Sequence, residues 1–169
     1  MAGDPQLRTA IARLLAEVDV DARALAARAA ETRQLLAGWT RAKPLPRPEL
    51  MLVATNLHGY YTALETLCER VARQLDETVP TGPSWHAELL SQMQVEVPGL
   101  RPRVIAAEAA AELQELRKFR HFFRNAYVLE FDPALIRGHA ERLDRIHDPV
   151  ANSIDGFVGH LRQVLQALD

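Results

Sequence analysis

The fold class that the sequence predicts is all-α, an up-and-down helical bundle of five to six helices, and three observations predict it. Apolar residues recur at helical spacing through most of the chain, Asp-Pro and Ser signals stand where helices would start, and no segment reads as a convincing strand, linker or repeat. Helices in that number, joined by short connections, pack as antiparallel neighbours. At 169 residues the chain suffices for one sizeable core, so residues 1–169 are expected to form a single domain.

"DPQL" places Asp4 as an N-cap and Pro5 at the first helical position, where a missing amide hydrogen costs nothing. Leu7, Ile11, Leu14, Val18, Leu25 and Ala29 then mark a long first helix that ends near Gly38. After the stiff connection "RAKPLPRPEL", the stripe Leu50, Val53, Leu57, Tyr60, Leu64, Leu67, Val71 and Leu75 marks a second long helix that stops before "VPTGPS". Ser84 is placed to cap a short third helix, "WHAELLSQM". The loop "VEVPGLRP", whose Val-x-Val is too short for a sheet, leads into a fourth helix rich in Ala, Leu, Glu and Arg that runs to about Tyr127. The start signal recurs at Asp132-Pro133 and again at Asp148-Pro149, which predicts two further helices.

Composition narrows the function classes. Hydrophobic residues at 48% and charged residues at 25% fit a soluble globular protein, and a net charge of -2 gives no global attraction for nucleic acid or an anionic membrane, so any anion site has to be local. A lone cysteine, Cys68, excludes an internal disulfide, and "MAGDPQLRTA" lacks the apolar core of a signal peptide; a cytoplasmic protein is expected. Charges interrupt every apolar run, so no membrane association is expected. His58, His86, His121, His139, His147, His160 and Cys68 show neither a His-x-x-x-His spacing with a third ligand nor a repeated Glu-x-x-His, so no metal and no cofactor is implied.

Cys68 sits on or beside the apolar stripe of the second helix, where a cysteine usually behaves as a small core residue. On the same helix His58, Glu65 and Glu69 fall near one face, with a salt-bridged surface as the ordinary alternative to a site. Gly59 beside them costs helix stability and hints at close approach of another backbone or a ligand. Trp85 and His86 are expected to pin a loop to the core. In the fourth helix Arg117, Arg120, His121 and Arg124 stand at i, i+3, i+4 and i+7, while Leu116, Phe119 and Phe123 supply the core face. Cations there complement the helix dipole, but guanidinium groups at that spacing also make a phosphate clamp, with an imidazole beside them that titrates near neutrality.

"LHGYYTALETLCERVARQLD", "SWHAELLSQM" and "LRKFRHFFRNAYVLEFDP" together resemble the HEPN superfamily, and within it the HepT-like toxins of toxin-antitoxin modules, from roughly Leu57 to Pro133. The family's Arg-polar-x-x-x-His-x-Tyr motif places Arg120 at the arginine, His121 at the polar position and Tyr127 at the closing tyrosine. Asn125 stands where active members carry the catalytic histidine. The resemblance implies a homodimer whose paired motifs form a cleft for RNA, a metal-independent endoribonuclease acting by 2′-hydroxyl attack, with Arg120 on the scissile phosphate and Arg117 and Arg124 as further RNA-binding residues. It also implies a minimal nucleotidyltransferase (MntA-like) antitoxin that modifies Tyr127 with AMP. Two readings of Asn125 follow, because an amide exchanges no proton near neutrality: His121 has taken over proton transfer, or the chain is a non-catalytic nucleotidyltransferase-associated subunit that binds RNA or nucleotide without cleaving it. His58, Glu65 and Glu69 are then expected to lie behind the arginines and hold them in place.

Overall fold

A computed structural model describes residues 4–40, 42–125 and 132–168. Helix α1 (Pro5–Gly38) starts where Asp4 accepts a hydrogen bond from the amide of Gln6 at 2.8 Å, and α5 (Pro133–Ala167) starts the same way, Asp132 accepting from the amide of Ala134 at 2.9 Å. Between them lie α2 (Arg47–Val71), α3 (Trp85–Met93) and α4 (Ala110–Asn125). Helix α2 runs on into a π-helical turn, Ala72–Asp76, that ends at Glu77 with φ 55°. That turn brings the Asp76 carboxylate onto the buried Arg101 guanidinium, with both contacts at 2.6 Å, and so tethers the loop before α4 to the end of α2. Among the described residues the only strand-like feature is an isolated bridge between Val97 and Arg101, closed by Gly99 at φ 77°.

The core forms where α2 is surrounded by α1, α3, α4 and α5. Leu14, Val18 and Leu25 of α1, Val53, Leu57, Tyr60, Leu64 and Leu67 of α2, Leu113 and Leu116 of α4, and Val150, Ile154 and Phe157 of α5 are all buried. Each such side chain contributes about 1.5–3 kcal/mol by leaving water. Cys68 is a core residue too, and burial pushes its thiol well above the ordinary range. Among the described residues no helix is long and apolar enough to cross a membrane.

Three expectations are corrected here. Leu7, placed on the α1 stripe, is 45% exposed, one turn before the stripe meets the core. Ser84 precedes α3 but its side chain makes no capping bond; its carbonyl instead accepts from the amides of Ala87 and Glu88. Asp148-Pro149 begins no helix: α5 is continuous through Pro149. The stripe Ile146, Val150, Ile154, Phe157 and Leu161 keeps its spacing across the proline, and Asp148 is engaged by Arg33 at 3.4 Å rather than by a nearby amide. Burial of that stripe outweighs the single backbone bond that proline forfeits. Of the fourth helix, whose expected end is near Tyr127, α4 is described to Asn125, and Tyr127 lies outside the described residues.

Candidate functional site

Helix α4 presents an apolar stripe, Leu113, Leu116 and Phe119, to the core, and this fixes where its polar side chains emerge. Arg120, next to Phe119, runs back along α2. Its Nη2 lies 2.9 Å from Glu65 Oε2, and its Nε donates to Thr62 Oγ1 at 3.3 Å. Thr62 is itself held, because its hydroxyl donates to the His58 carbonyl at 2.9 Å. Glu65 is only 6% exposed, and its second oxygen bonds His86 Nδ1. The His86 ring lies against Trp85 with centroids 3.6 Å apart. A buried carboxylate is tolerated only when its oxygens are paired, and here one carboxylate of α2 joins α4 to α3.

A second cluster stands one turn or more before Glu65 on α2. The His58 ring stacks on Phe123 of α4 with centroids 5.0 Å apart and planes 24° apart. Burial, and then Arg120, Arg124 and Arg28 in that order, hold the His58 pKa below its ordinary value, so the ring is neutral at pH 7. Its Nδ1 is buried without a hydrogen-bond partner. The Arg28 guanidinium of α1 lies across the neighbouring Gly59, where a Cβ would fall 2.6 Å from Cζ, 2.6 Å from Nη1 and 2.9 Å from Nε. The close approach expected at Gly59 is therefore made by an arginine side chain rather than by another backbone.

The remaining candidates separate. Arg117 is occupied within α4, its Nε donating to Gln114 at 2.7 Å. His121 and Arg124 are exposed on the same helix. Asn125 is the last residue of α4, and Tyr127 lies outside the described residues, so the motif is described only through its first part. Glu69, expected behind the arginines, is instead 3.7 Å from Arg73, because it sits one turn beyond Glu65 along α2 and outside the reach of Arg120. Among the described residues no three His, Cys, Asp or Glu side chains gather as a metal site requires.

A family model described as HepT-like protein matches residues 52–161. The chain belongs to the HepT-like family. No curated protein and no solved structure matches it. The matched stretch of this HepT-like chain takes in Thr62, Glu65, His86 and Arg120 together with most of α5, and it leaves α1, and so Arg28, outside.

Two residues of the candidate site, His86 and Arg28, carry no readable signal of that role in the sequence. His86 reads locally as pinning a loop, because its acidic partner is 21 residues away on another helix and no local spacing reports such a pair. Arg28 carried no signal of its own on α1; the only trace was the glycine it crosses, on α2. What the assembled geometry offers is an oriented guanidinium at Arg120 whose charge is largely offset by Glu65, next to cations for which no carboxylate partner occurs among the described residues, Arg28 and Arg124. Such groups bind anions through charge-assisted hydrogen bonds.

Proposed function

We propose that this HepT-like chain is a toxin subunit of a toxin-antitoxin module that acts as a homodimer on RNA, at the α4 face carrying Arg120, His121 and Arg124. The observation that carries the reading is the Arg120–Glu65 pair at 2.9 Å, which fixes the motif arginine in one orientation before any substrate arrives. In the reaction the ribose 2′-oxygen attacks the adjacent phosphorus, the bond from phosphorus to the 5′-oxygen breaks, the leaving 5′-oxygen takes a proton from water, and a 2′,3′-cyclic phosphate and a 5′-hydroxyl result. Arg120 stabilises the negative charge that develops on the phosphoryl oxygens. His121 accepts the 2′-proton, the role that an amide at Asn125 does not perform.

The partner in this reading is a minimal nucleotidyltransferase antitoxin. It would transfer AMP from ATP to the Tyr127 oxygen with release of pyrophosphate, which sets a bulky anion among the motif cations and blocks RNA. A second reading has a specific observation in its favour: Asn125 supplies no titrating group and Glu65 already offsets the Arg120 charge, as in a subunit that binds RNA or nucleotide without cutting it. Purified protein incubated with RNA and EDTA decides between them. Cleavage to cyclic-phosphate ends that His121→Ala abolishes supports the first reading, and binding without cleavage supports the second. Mass spectrometry of the chain co-expressed with a nucleotidyltransferase tests the modification, with an AMP-sized adduct on Tyr127 as the expected result.

A further inference from the structure

The charge arrangement around His58 contains a feature that the motif helix does not explain. Cations in the last turn of α4 are favoured by the helix dipole, which accounts for Arg124. It does not account for Arg28, which stands on a different helix and lies across Gly59, the residue next to His58. The protein as a whole carries a net charge of -2, yet Arg28 lies across the residue next to His58, and Arg124 follows Phe123, whose ring stacks on His58, a local gathering of cations against the overall balance. Their compensation is incomplete. Glu65 is shared by Arg120 and His86, and Glu31, one turn after Arg28, accepts from Asn56 at 2.8 Å. Neither Arg28 nor Arg124 has a carboxylate partner among the described residues. Two polar nitrogens of the cluster, Arg28 Nε and His58 Nδ1, are buried without hydrogen-bond partners, and buried polar atoms left so are rare enough to need a reason.

We propose that Arg28, His58 and Arg124 form a second phosphate site beside Arg120, built across α1, α2 and α4 and given access to α2 by Gly59. Its ligand is a phosphate group, either one in an RNA backbone next to the scissile phosphate or one on a free nucleotide. Gly59 is the specificity device: it lets a planar guanidinium lie against the helix, and any side chain there would push it away. The RNA form of this proposal rests on the function proposed above, whereas the site itself is read without RNA.

The experiment uses the full chain with labelled histidines, inorganic phosphate as the first probe and hexauridylate as the second. Phosphate should shift the His58 ring resonances saturably and raise the midpoint of their titration, while His160, at the far end of α5 against Leu100, stays put. Arg28→Gln should weaken phosphate binding about tenfold, as expected for loss of one charge-assisted contact, with partial recovery in Arg28→Lys. Gly59→Ala keeps every charge but displaces the guanidinium, and should weaken binding as well; it carries the test if Arg28→Gln does not fold. Arg23→Gln, on the face of α1 toward α5, should leave binding unchanged. If Arg28→Gln also weakens hexauridylate and lowers its salt dependence by about 0.7 in log–log slope, the phosphate belongs to RNA; if only inorganic phosphate is affected, it belongs to a free nucleotide. Unchanged phosphate affinity in both Arg28→Gln and Gly59→Ala, or no response of His58 to phosphate, overturns the proposal. Absence of RNA cleavage in the wild type leaves it standing.

Discussion

Glu65 is the residue on which the site turns. Its two oxygens hold Arg120 and His86 while its side chain is 6% exposed, and the Arg120 side chain is 12% exposed, so removing the charge strands a buried guanidinium. Glu65→Gln keeps the volume and loses that compensation, and should destabilise the fold by about 3–5 kcal/mol in urea unfolding. Glu69→Gln, on a solvent-facing pair with Arg73, should change stability by less than about 1 kcal/mol. A Glu65→Gln variant with both stability and RNA binding intact would remove the carboxylate from any account of the site. At this scale the sequence was half legible. Spacing alone placed Arg120 and His121 on one side of the fourth helix and Phe119 on the other, because helical periodicity is a local rule. The choice between Glu65 and Glu69 was not legible, since both face the same way on α2 and only the depth at which α4 crosses decides which one meets the arginine.

Among the elements, α5 shows why the same Asp-Pro signal begins a helix at two places and not at a third. Asp-Pro begins a helix at Asp4 and at Asp132, where the carboxylate turns to an amide two residues on. At Asp148 the same pair sits inside an apolar stripe that continues on both sides, and the stripe prevails over the dipeptide. A local start signal competes with burial summed along 35 residues of helix, and no inspection of the dipeptide alone resolves that competition. The proline is nevertheless costly where it stands, because it cannot donate to the carbonyl of Arg145. Pro149→Ala should restore that bond and raise stability by about 1–3 kcal/mol, part of the gain being offset by the greater freedom of the unfolded chain. An unchanged or lowered urea midpoint would show that the helix is already relaxed around the ring.

Across the whole molecule, three histidines are kept neutral by the packing of different helix pairs: His58 between α2 and α4, His139 against Phe119 of α4, and His147 bonded to Tyr60 of α2 at 3.2 Å. Burial is the leading cause in each, and each folded pKa lies below the ordinary 6.5. Between the folded and unfolded values the unfolded chain binds more protons, so the stability these rings contribute is present above about pH 6.5 and is lost as pH falls through the window beneath it. Carboxylates held below their ordinary values, at Glu17 and Asp76, lose their contribution only at lower pH, as it drops below their unfolded values of 4.5 and 3.8. Urea midpoints should therefore be level from pH 8 to 7, decline from there to pH 5.5 and fall more steeply in acid; a midpoint as high at pH 5.5 as at pH 7.5 contradicts this. His147→Gln should flatten part of the first decline. A tetrahedral oxyanion adds a signature of its own. Sulfate, which unlike phosphate keeps its charge across this range, favours among Arg28, Arg124 and His58 the protonated ring that burial and the arginines otherwise disfavour, so it should stabilise the protein more at pH 5.5 than at pH 7.5. That excess should vanish in Arg28→Gln, which ties the pH profile of the whole bundle to one side chain on its first helix.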